Sequence, residues 1–240
     1  MFQIGKINCI GRSEVRHEWT YDKIRGINRL YYIHSGNGYY ITNDKKIKFH
    51  SGYLYFFPYN AEYSFENDLN NPIDHTFADF ELIPPVIYNG ILSMSPKEDK
   101  LTELACNVFN TFAEASDGTD INDFNNMLYS SVSYLTWVIT DKNGIKPVDD
   151  GLVISVLEEM IDSMAENLRI EDMAAKRYIS ADGLIRRFSK VMGITPYAYL
   201  KNLRKRTALY MLNNGKSLLE AAVVTGYSDT SSLLHAIQDK

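Results

Sequence analysis

The chain has 240 residues, 45% of them hydrophobic, so it is long enough for two modest domains or one large one and can bury a core, which excludes wholesale disorder. No apolar run approaches the roughly 18 residues that a membrane helix needs, and the start lacks a basic-then-apolar leader, so we expect a cytoplasmic protein with no membrane partner. The net charge of −5 hides an asymmetry, because residues 169–240 carry +6 and residues 1–168 carry −11; this favours an acidic body joined to a basic, phosphate-seeking module.

Residues 20–85 are predicted to form a small all-β domain. They contain four runs rich in β-branched and aromatic residues, namely LYYIHSGNGYYITN, KKIKFHSGYLYFFP, AEYSFEN and HTFADFELI. Turn-forming residues interrupt the runs at 35–38 (SGNG) and at Asn43-Asp44. Short strands at this spacing are typical of an antiparallel sandwich or barrel.

After Pro96 the apolar residues change to a helical period. One stripe predicts a first helix that ends before Gly118, and its members are Leu101, Leu104, Ala105, Val108, Phe109 and Phe112. A second stripe predicts another helix, with Ile121, Phe124, Leu128, Leu135 and Val138. The two helices either cover an open face of the β-domain or pair across a dimer, and the sequence favours neither alternative.

The last third of the chain is predicted to be helical, with an internal repeat. Two segments, MAAKRYISADGLIRRFSK and AAVVTGYSDTSSLLHAIQDK, share the same pattern at an offset of 48 residues, which becomes 49 after the serine. Each has small residues, then an N-cap, then an apolar stripe, which is the pattern of helix, tight turn, helix; the cap is Ser180 in the first copy and Ser228 or Asp229 in the second. A long helix between the copies begins at Thr195-Pro196, and Ser217 with Glu220 forms a capping box that starts the second copy.

These features resemble the AraC/XylS family of bacterial transcription regulators. The similarity covers residues 153–240 and is carried by the motif A-x5-S-x3-L-x-R-x-F-x4-G-I-T-P-x2-Y from Ala174 to Tyr199, by LRKRTALYML and by AAVVTGYSD. The resemblance implies an α+β two-domain fold: a cupin-like, effector-sensing antiparallel β-barrel at 1–96, a helical dimerisation segment at 97–144, a linker at 145–152 and an all-α double helix-turn-helix domain at 153–240.

The resemblance also implies that one monomer places two recognition helices in successive major grooves, about 34 Å apart on double-stranded DNA. The residues that match DNA-binding positions are Ser180, Ala181, Asp182, Ile185, Arg186, Arg187, Lys190, Thr230, Ser231 and His235. Arg186 is the main candidate for reading a base, since a guanidinium pairs bidentately with guanine. Asp182 either accepts from cytosine or only stabilises the helix N-terminus. Arg187, Lys190, Lys201, Arg204 and Lys205 are either phosphate contacts or solvated charges.

The chain departs from the family pattern at three places. His235 stands where the family usually has a second arginine, so it is either a weaker base reader or simply an exposed residue. Tyr178 stands where the second repeat has Gly226, and because a tyrosine is strained in a left-handed conformation, we expect the first turn to differ slightly. The family's domain usually continues about a dozen residues beyond the position of Lys240, so we expect either a weakly binding second unit or a truncated form.

The resemblance implies three further partners, namely a small organic effector, a second copy of the chain and RNA polymerase. Aromatic rings of the β-domain fit stacking on an effector such as a sugar, although they fit an ordinary β core as well. The candidates are Tyr31, Tyr39, Tyr53, Tyr55, Phe57 and Tyr63. We expect no cofactor.

Two alternatives belong to other functional classes. A metal-dependent cupin enzyme needs paired histidines one residue apart with a nearby carboxylate, but His34, His50 and His75 stand singly, so we expect no enzyme and no metal site. Cys9 and Cys106 also lack metal-type spacing and are expected to be small buried residues. A protein-binding signalling module fits the doubled helix-turn-helix and the basic charge less well.

Overall fold

The computed structural model of the chain describes residues 2–17, 27–42, 45–115, 125–213 and 215–238. The chain divides into two compact units, Met1–Pro147 and Val148–Lys240. The predicted turn at Asn43-Asp44, Gly118 and the predicted helix residues Ile121 and Phe124 lie outside the described residues. No helix in the described ranges is both long and apolar enough to cross a bilayer.

The first unit consists of two antiparallel sheets and a helical layer. Its strands are β1 Gln3–Glu14, β2 Asn28–Ser35, β3 Gly38–Thr42, β4 Lys45–Lys48, β5 Leu54–Phe57, β6 Ser64–Asn67, β7 Asp74–Ile83 and β8 Leu92–Met94. The larger sheet has the order β1-β7-β2-β5-β8 and the smaller one β4-β3-β6. A 3-10 turn at Pro96–Glu98 leads into α1, Lys100–Ala115, and α2 is Asn125–Lys142. The predicted antiparallel β architecture is confirmed, as two open sheets that pack face to face.

Strand β1 was not predicted, and its irregular pairing explains why. The register with β7 shifts between Ile4 and Lys6 and again between Ile7 and Cys9. Each β-bulge adds one residue, so the inward-facing Ile4, Ile7 and Ile10 recur every third position rather than every second. The strand therefore lacks the alternation of apolar and polar residues from which strands are predicted.

Alternate residues of the larger sheet pack on opposite sides of it. On one side Leu30 of β2 joins the core beneath α1 and α2, with Leu54, Phe56, Ala78, Phe80, Phe109, Val132 and Leu135. On the other side Tyr31 and Ile33 pack against the smaller sheet, where the rings of Tyr31 and Phe65 stack at 5.5 Å. The helices therefore cover one face of the β-domain, which was the first of the two predicted alternatives.

Helix α1 buries part of the predicted stripe, since Phe109 lies in the core and Ala105 and Phe112 pack against it. Its core-facing residues are Thr102, Cys106, Phe109 and Ala113. Leu101 and Leu104 of the predicted stripe are 64% and 59% exposed. In α2 the predicted residues Leu128, Leu135 and Val138 are buried as expected. Helix α1 thus has a second apolar patch, around Leu101 and Leu104, that the described residues leave exposed.

The second unit contains six helices among its described residues: α3 Gly151–Asp162, α4 Ile170–Ala175, α5 Ala181–Met192, α6 Pro196–Asn213, α7 Leu218–Thr225 and α8 Thr230–Gln238. The predicted N-caps are present, since Thr195 accepts from the amide of Ala198 at 3.2 Å and Ser217 forms the capping box with Glu220. Helix α6 packs against α7 and α8, and the ring of Tyr199 lies 5.8 Å from that of Phe188 on α5. It therefore bridges the two repeats.

Candidate nucleic-acid interface

The first repeat orients α5 by burying one side of it. Leu184, Phe188 and Met192 are fully buried, and the Ser180 hydroxyl accepts from the amide of Gly183 at 3.1 Å to start the helix. Gly193 ends it in a left-handed conformation at φ 73°. With both ends and one face fixed, α5 presents its opposite side to solvent.

That opposite side carries most of the predicted DNA-binding residues. Asp182, Arg186 and Lys190 are exposed at a spacing of four residues, so they lie along one line of α5. Ala181 and Ile185 are half-buried beside them. The charge of Asp182 also lies in the first turn of the helix, where a carboxylate is favourable without any ligand.

Arg187 has a partner within the unit. Its Nε donates to Oδ2 of Asp150 at 2.8 Å, while Oδ1 of Asp150 accepts from the amide of Val153 at 3.1 Å and so caps α3. The hydrogen bond from Arg187 holds the pKa of the Asp150 carboxyl below its usual range. One side chain at the start of the unit thus joins α3 to α5.

Arg204 has a structural role, which corrects the alternative that it is a solvated charge; its prediction as a phosphate contact stays a prediction. Its Nε donates to the carbonyl oxygen of Met164 at 2.8 Å and its Nη2 to that of Glu166 at 2.6 Å. The guanidinium therefore holds the segment after α3 against α6. Lys201 and Lys205 also lie on α6, Lys201 exposed and Lys205 half-buried.

The turn of the second repeat is tightly packed. Gly226 has φ 71°, and a Cβ at this position would lie 2.8 Å from the carbonyl oxygens of Met164 and Ala165. Asp229, one of the two predicted caps, accepts from the amide of Ser232 at 2.7 Å, and Ser228 donates to the Asp229 carboxylate. The amide of Ser232 lowers the pKa of Asp229. The start of α8 is therefore fixed by both its cap and its turn.

Helix α8 buries Leu233 and Ala236 and half-buries Ile237. Its exposed side consists of Ser231, Leu234, His235 and Gln238, with Thr230 half-buried at its start. Leu234, which is 40% exposed, was missed by the sequence analysis. The repeat indicates that Leu234 is a contact position, because the offset of 49 residues aligns Leu234 with Ile185 just as it aligns His235 with Arg186.

Tyr178 shows that the first turn does not differ as expected. Its φ is 56°, the same left-handed region that Gly226 occupies, and its side chain is 98% exposed. The amides of Arg177 and Ile179 both donate to the carbonyl oxygen of Ala174, at 3.0 and 3.1 Å. These bonds keep the turn in the shape of its counterpart despite the tyrosine.

The aromatic residues predicted for effector binding lie in different environments. Tyr55, Phe57 and Tyr63 are buried in the core between the sheets. Tyr39 stacks under the Lys46 ammonium at 4.3 Å, and Tyr53 is partly exposed. Tyr31 lines a cavity of about 160 Å³ together with Ser13, Val15, His17, Arg29, His75 and Phe77.

Two of the ionisable groups that line this cavity are Arg29, which is paired with a carboxylate, and His75, which is neutral. Arg29 and Asp79 are register partners on β2 and β7 and form two hydrogen bonds of 2.6 Å. Burial lowers the pKa of His75 to about 3, so its ring is neutral near pH 7. Within the described residues no three His, Cys, Asp or Glu side chains are grouped to hold a metal ion.

Comparison with known proteins gives matches for both units. Residues 173–239 match the family described as helix-turn-helix domain. Over 105 residues the chain is 33% identical to an uncharacterized HTH-type transcriptional regulator, YbfI, of Bacillus subtilis strain 168. That match covers 44% of this chain and 35% of the regulator, so it spans about a third of the relative's length.

The fold is similar to that of ToxT from Vibrio cholerae along nearly the whole chain. A ToxT structure bound to (E)-4-(8-methylnaphthalen-1-yl)but-3-enoic acid has a TM-score of 0.63 at 12% identity and covers 100% of this chain and 94% of that one. An unsaturated fatty acid bound form has a TM-score of 0.61 at 10% identity and covers 99% and 90%. At such identity the likeness shows a shared fold.

Proposed function

We propose that this chain is a helix-turn-helix transcription regulator of the AraC/XylS type, which binds two successive major grooves and changes that binding in response to a small organic effector. The observation that carries the proposal is the pair of recognition helices, α5 and α8, in one compact unit. Each is N-capped, packs one face on the unit's core and leaves the other exposed. Both are tied to the same bridging helix α6.

The two helices contribute different chemistry to DNA binding. Arg186 pairs with a guanine, and Lys190 neutralises a phosphate at the same groove. Ser180, Ala181, Asp182 and Ile185 complete the contact surface of α5. On α8 the contact residues are Thr230, Ser231 and His235, which together hold no permanent positive charge. The first helix therefore supplies most of the electrostatic attraction.

Selection of bound duplexes from a random library, followed by titration at several salt concentrations, tests this function. Affinity should fall steeply with salt, with a slope of about 0.9 for each phosphate neutralised. Arg186→Ala should cost about 1–3 kcal/mol, or roughly 5- to 150-fold in Kd, and His235→Ala distinctly less. Arg16→Ala, an exposed arginine of the first unit, is the matched control and should leave Kd unchanged. Binding that ignores salt, or equal losses from Arg186→Ala and His235→Ala, would contradict the proposal.

The cavity beside Tyr31 is the proposed effector site. It combines aromatic rings with the guanidinium of Arg29. The Nε and Nη2 atoms of Arg29 donate to the Asp79 carboxylate, which holds the guanidinium in place. Rings and fixed donors suit a small organic molecule with polar groups. Repeating the duplex selection with and without candidate metabolites, for the wild type and for Tyr31→Ala, tests the site. A metabolite that changes DNA affinity in the wild type should have no effect on the variant.

The proposed homodimer uses the uncovered face of α1. Its apolar residues lie at the spacing of a helix-packing stripe and, with α2, form a groove of about 430 Å³. The residues lining it include Leu101, Leu104, Ala105, Val108, Met127 and Tyr134. A two-fold axis through such a groove would pack each α1 stripe against its copy. RNA polymerase as a partner stays a prediction from the family resemblance.

A further inference from the structure

The exposed side of α8 has an aliphatic residue at its centre. Leu234 is 40% exposed and stands between the polar residues Ser231 and His235. The buried residues of α8 are Leu233 and Ala236, one residue before and two residues after Leu234, so Leu234 is not needed to fill the core. Among the described residues, the apolar cluster around Leu233 does not include Leu234.

The orientation of Leu234 is fixed by the elements before it. Asp229 caps the helix through the amide of Ser232, and Gly226 lies against the carbonyl oxygens of the segment after α3. A rotation of α8 that buried Leu234 would bring Leu233 out of the core and break this cap. Leu234 therefore faces the same way as Ser231 and His235.

The chemistry of this side differs from that of α5. Thymine alone presents a methyl group in the major groove, and apolar side chains recognise it by contact. Glutamine, present at Gln238, pairs with adenine, whereas the usual reader of guanine is arginine or lysine. Helix α8 contains neither arginine nor lysine, while α5 presents Arg186.

We infer that Leu234 reads a thymine through its C5 methyl group, so that the half-site under α8 is A·T-based while the half-site under α5 contains a guanine. This rests on the proposed function, because it assigns a base to one helix of the same DNA-binding unit. The operator is then chemically asymmetric, and its two halves are not copies of each other.

Replacement of thymine by deoxyuridine tests the inference, because it removes the methyl group and keeps the base-pairing edge. In a duplex selected by the full chain, each thymine of the α8 half-site is replaced in turn. For the wild type we expect about a fourfold rise in Kd at one or two positions, the factor for removing one buried methyl group. Leu234→Ala should bind the thymine duplex about as weakly and show no further change with deoxyuridine.

Two further variants make the result decisive. Leu219→Ala removes another exposed leucine of the same unit, on α7, and should keep the full sensitivity to deoxyuridine. Leu234→Asn keeps the branched shape without methyl groups and should lose the sensitivity, which covers a failure of Leu234→Ala to fold. The inference is overturned if the wild type ignores every methyl group of that half-site, or if the Leu234 variants stay as sensitive as the wild type. Failure to select any duplex would instead refute the proposed function itself.

Discussion

Tyr178 and Gly226 occupy equivalent turns, yet only one of them suits the conformation. Both have a positive φ, 56° and 71°. A side chain in the left-handed region costs roughly 1–2 kcal/mol, which a glycine does not pay. The repeat alone predicts the shared conformation, whereas the residue type predicts the opposite. The hydrogen bonds that the first turn makes to the carbonyl oxygen of Ala174 outweigh the backbone strain at Tyr178. Such bonds cannot be inferred from the residue type alone.

Replacing Tyr178 by glycine should therefore stabilise the second unit. We expect a gain of about 0.5–1 kcal/mol, since relief of strain exceeds the entropy that glycine loses on folding. Chemical denaturation of the full chain, followed in the helical signal, measures it. Tyr197→Gly is the matched control, because Tyr197 is also an exposed tyrosine but lies in α6, where glycine costs about 1 kcal/mol. A loss of stability in both variants would show that the turn is not strained.

The identity of single contact residues was only partly predictable from the sequence. Ser180 and Ser217 cap helices as predicted, since capping depends on residues three positions apart. The structural role of Arg204 was missed because its partners, the carbonyl oxygens at Met164 and Glu166, lie about 40 residues away in sequence. Leu234 was missed because only polar residues of α8 were considered as contacts, although the repeat aligns Leu234 with the candidate Ile185.

At the scale of elements, helices with caps and strands with regular alternation were predicted well. Strand β1 was missed because two bulges turn its period from two to three. Helix α1 was predicted correctly, but its buried face was predicted only in part: Phe109 is in the core, whereas Leu101 and Leu104 are exposed, because only packing decides which apolar residues are covered. Elements whose pattern is ambiguous need the tertiary structure to be assigned.

Asp150 performs two tasks that one substitution separates. Asn caps a helix about as well as Asp but carries no charge to hold Arg187. Asp150→Asn should therefore keep the stability of the unit and release Arg187 for a phosphate. We expect DNA affinity at low salt to rise about two- to fivefold and the salt slope to steepen by up to about 0.9.

The matched variant for this prediction is Asp150→Ala, which loses both the cap and the ion pair. It should show the same change in salt slope but be destabilised by about 1 kcal/mol. In Arg187→Ala, replacing Asp150 by Asn should no longer alter DNA binding. If Asp150→Asn leaves the salt slope unchanged, Arg187 does not reach the DNA when released.

At the scale of the whole chain, composition predicted the division into two units. Aromatic residues and acidic charge concentrate in the first part and basic charge in the last. The structure divides the chain between Pro147 and Val148, inside the predicted linker 145–152. The distribution of charge and aromatic residues is a reliable indicator of the two units even where single elements are ambiguous, because it sums over many residues. The exposed apolar stripe of α1 is also a property of the whole molecule, because it bears on assembly with a second copy.

The uncovered stripe of α1 leads to the last prediction, on assembly. A glutamate at Leu104 places a charge at the centre of the stripe and, in a dimer, opposite its own copy. Leu104→Glu should be monomeric in sedimentation at concentrations where the wild type is dimeric. Leu69→Glu is the matched control, because Leu69 is 52% exposed in a turn of the same unit, and it should remain dimeric.

Assembly and DNA binding are expected to separate in this variant. One chain carries both recognition helices, so Leu104→Glu should keep its affinity for a single operator, whereas Arg186→Ala should not. On a duplex with two operators, the wild type gains affinity because the second contact is intramolecular, and the variant should lose this gain. A wild type that sediments as a monomer at all concentrations would exclude the dimer. Loss of single-operator binding in Leu104→Glu would mean instead that one chain does not bind DNA without a second chain.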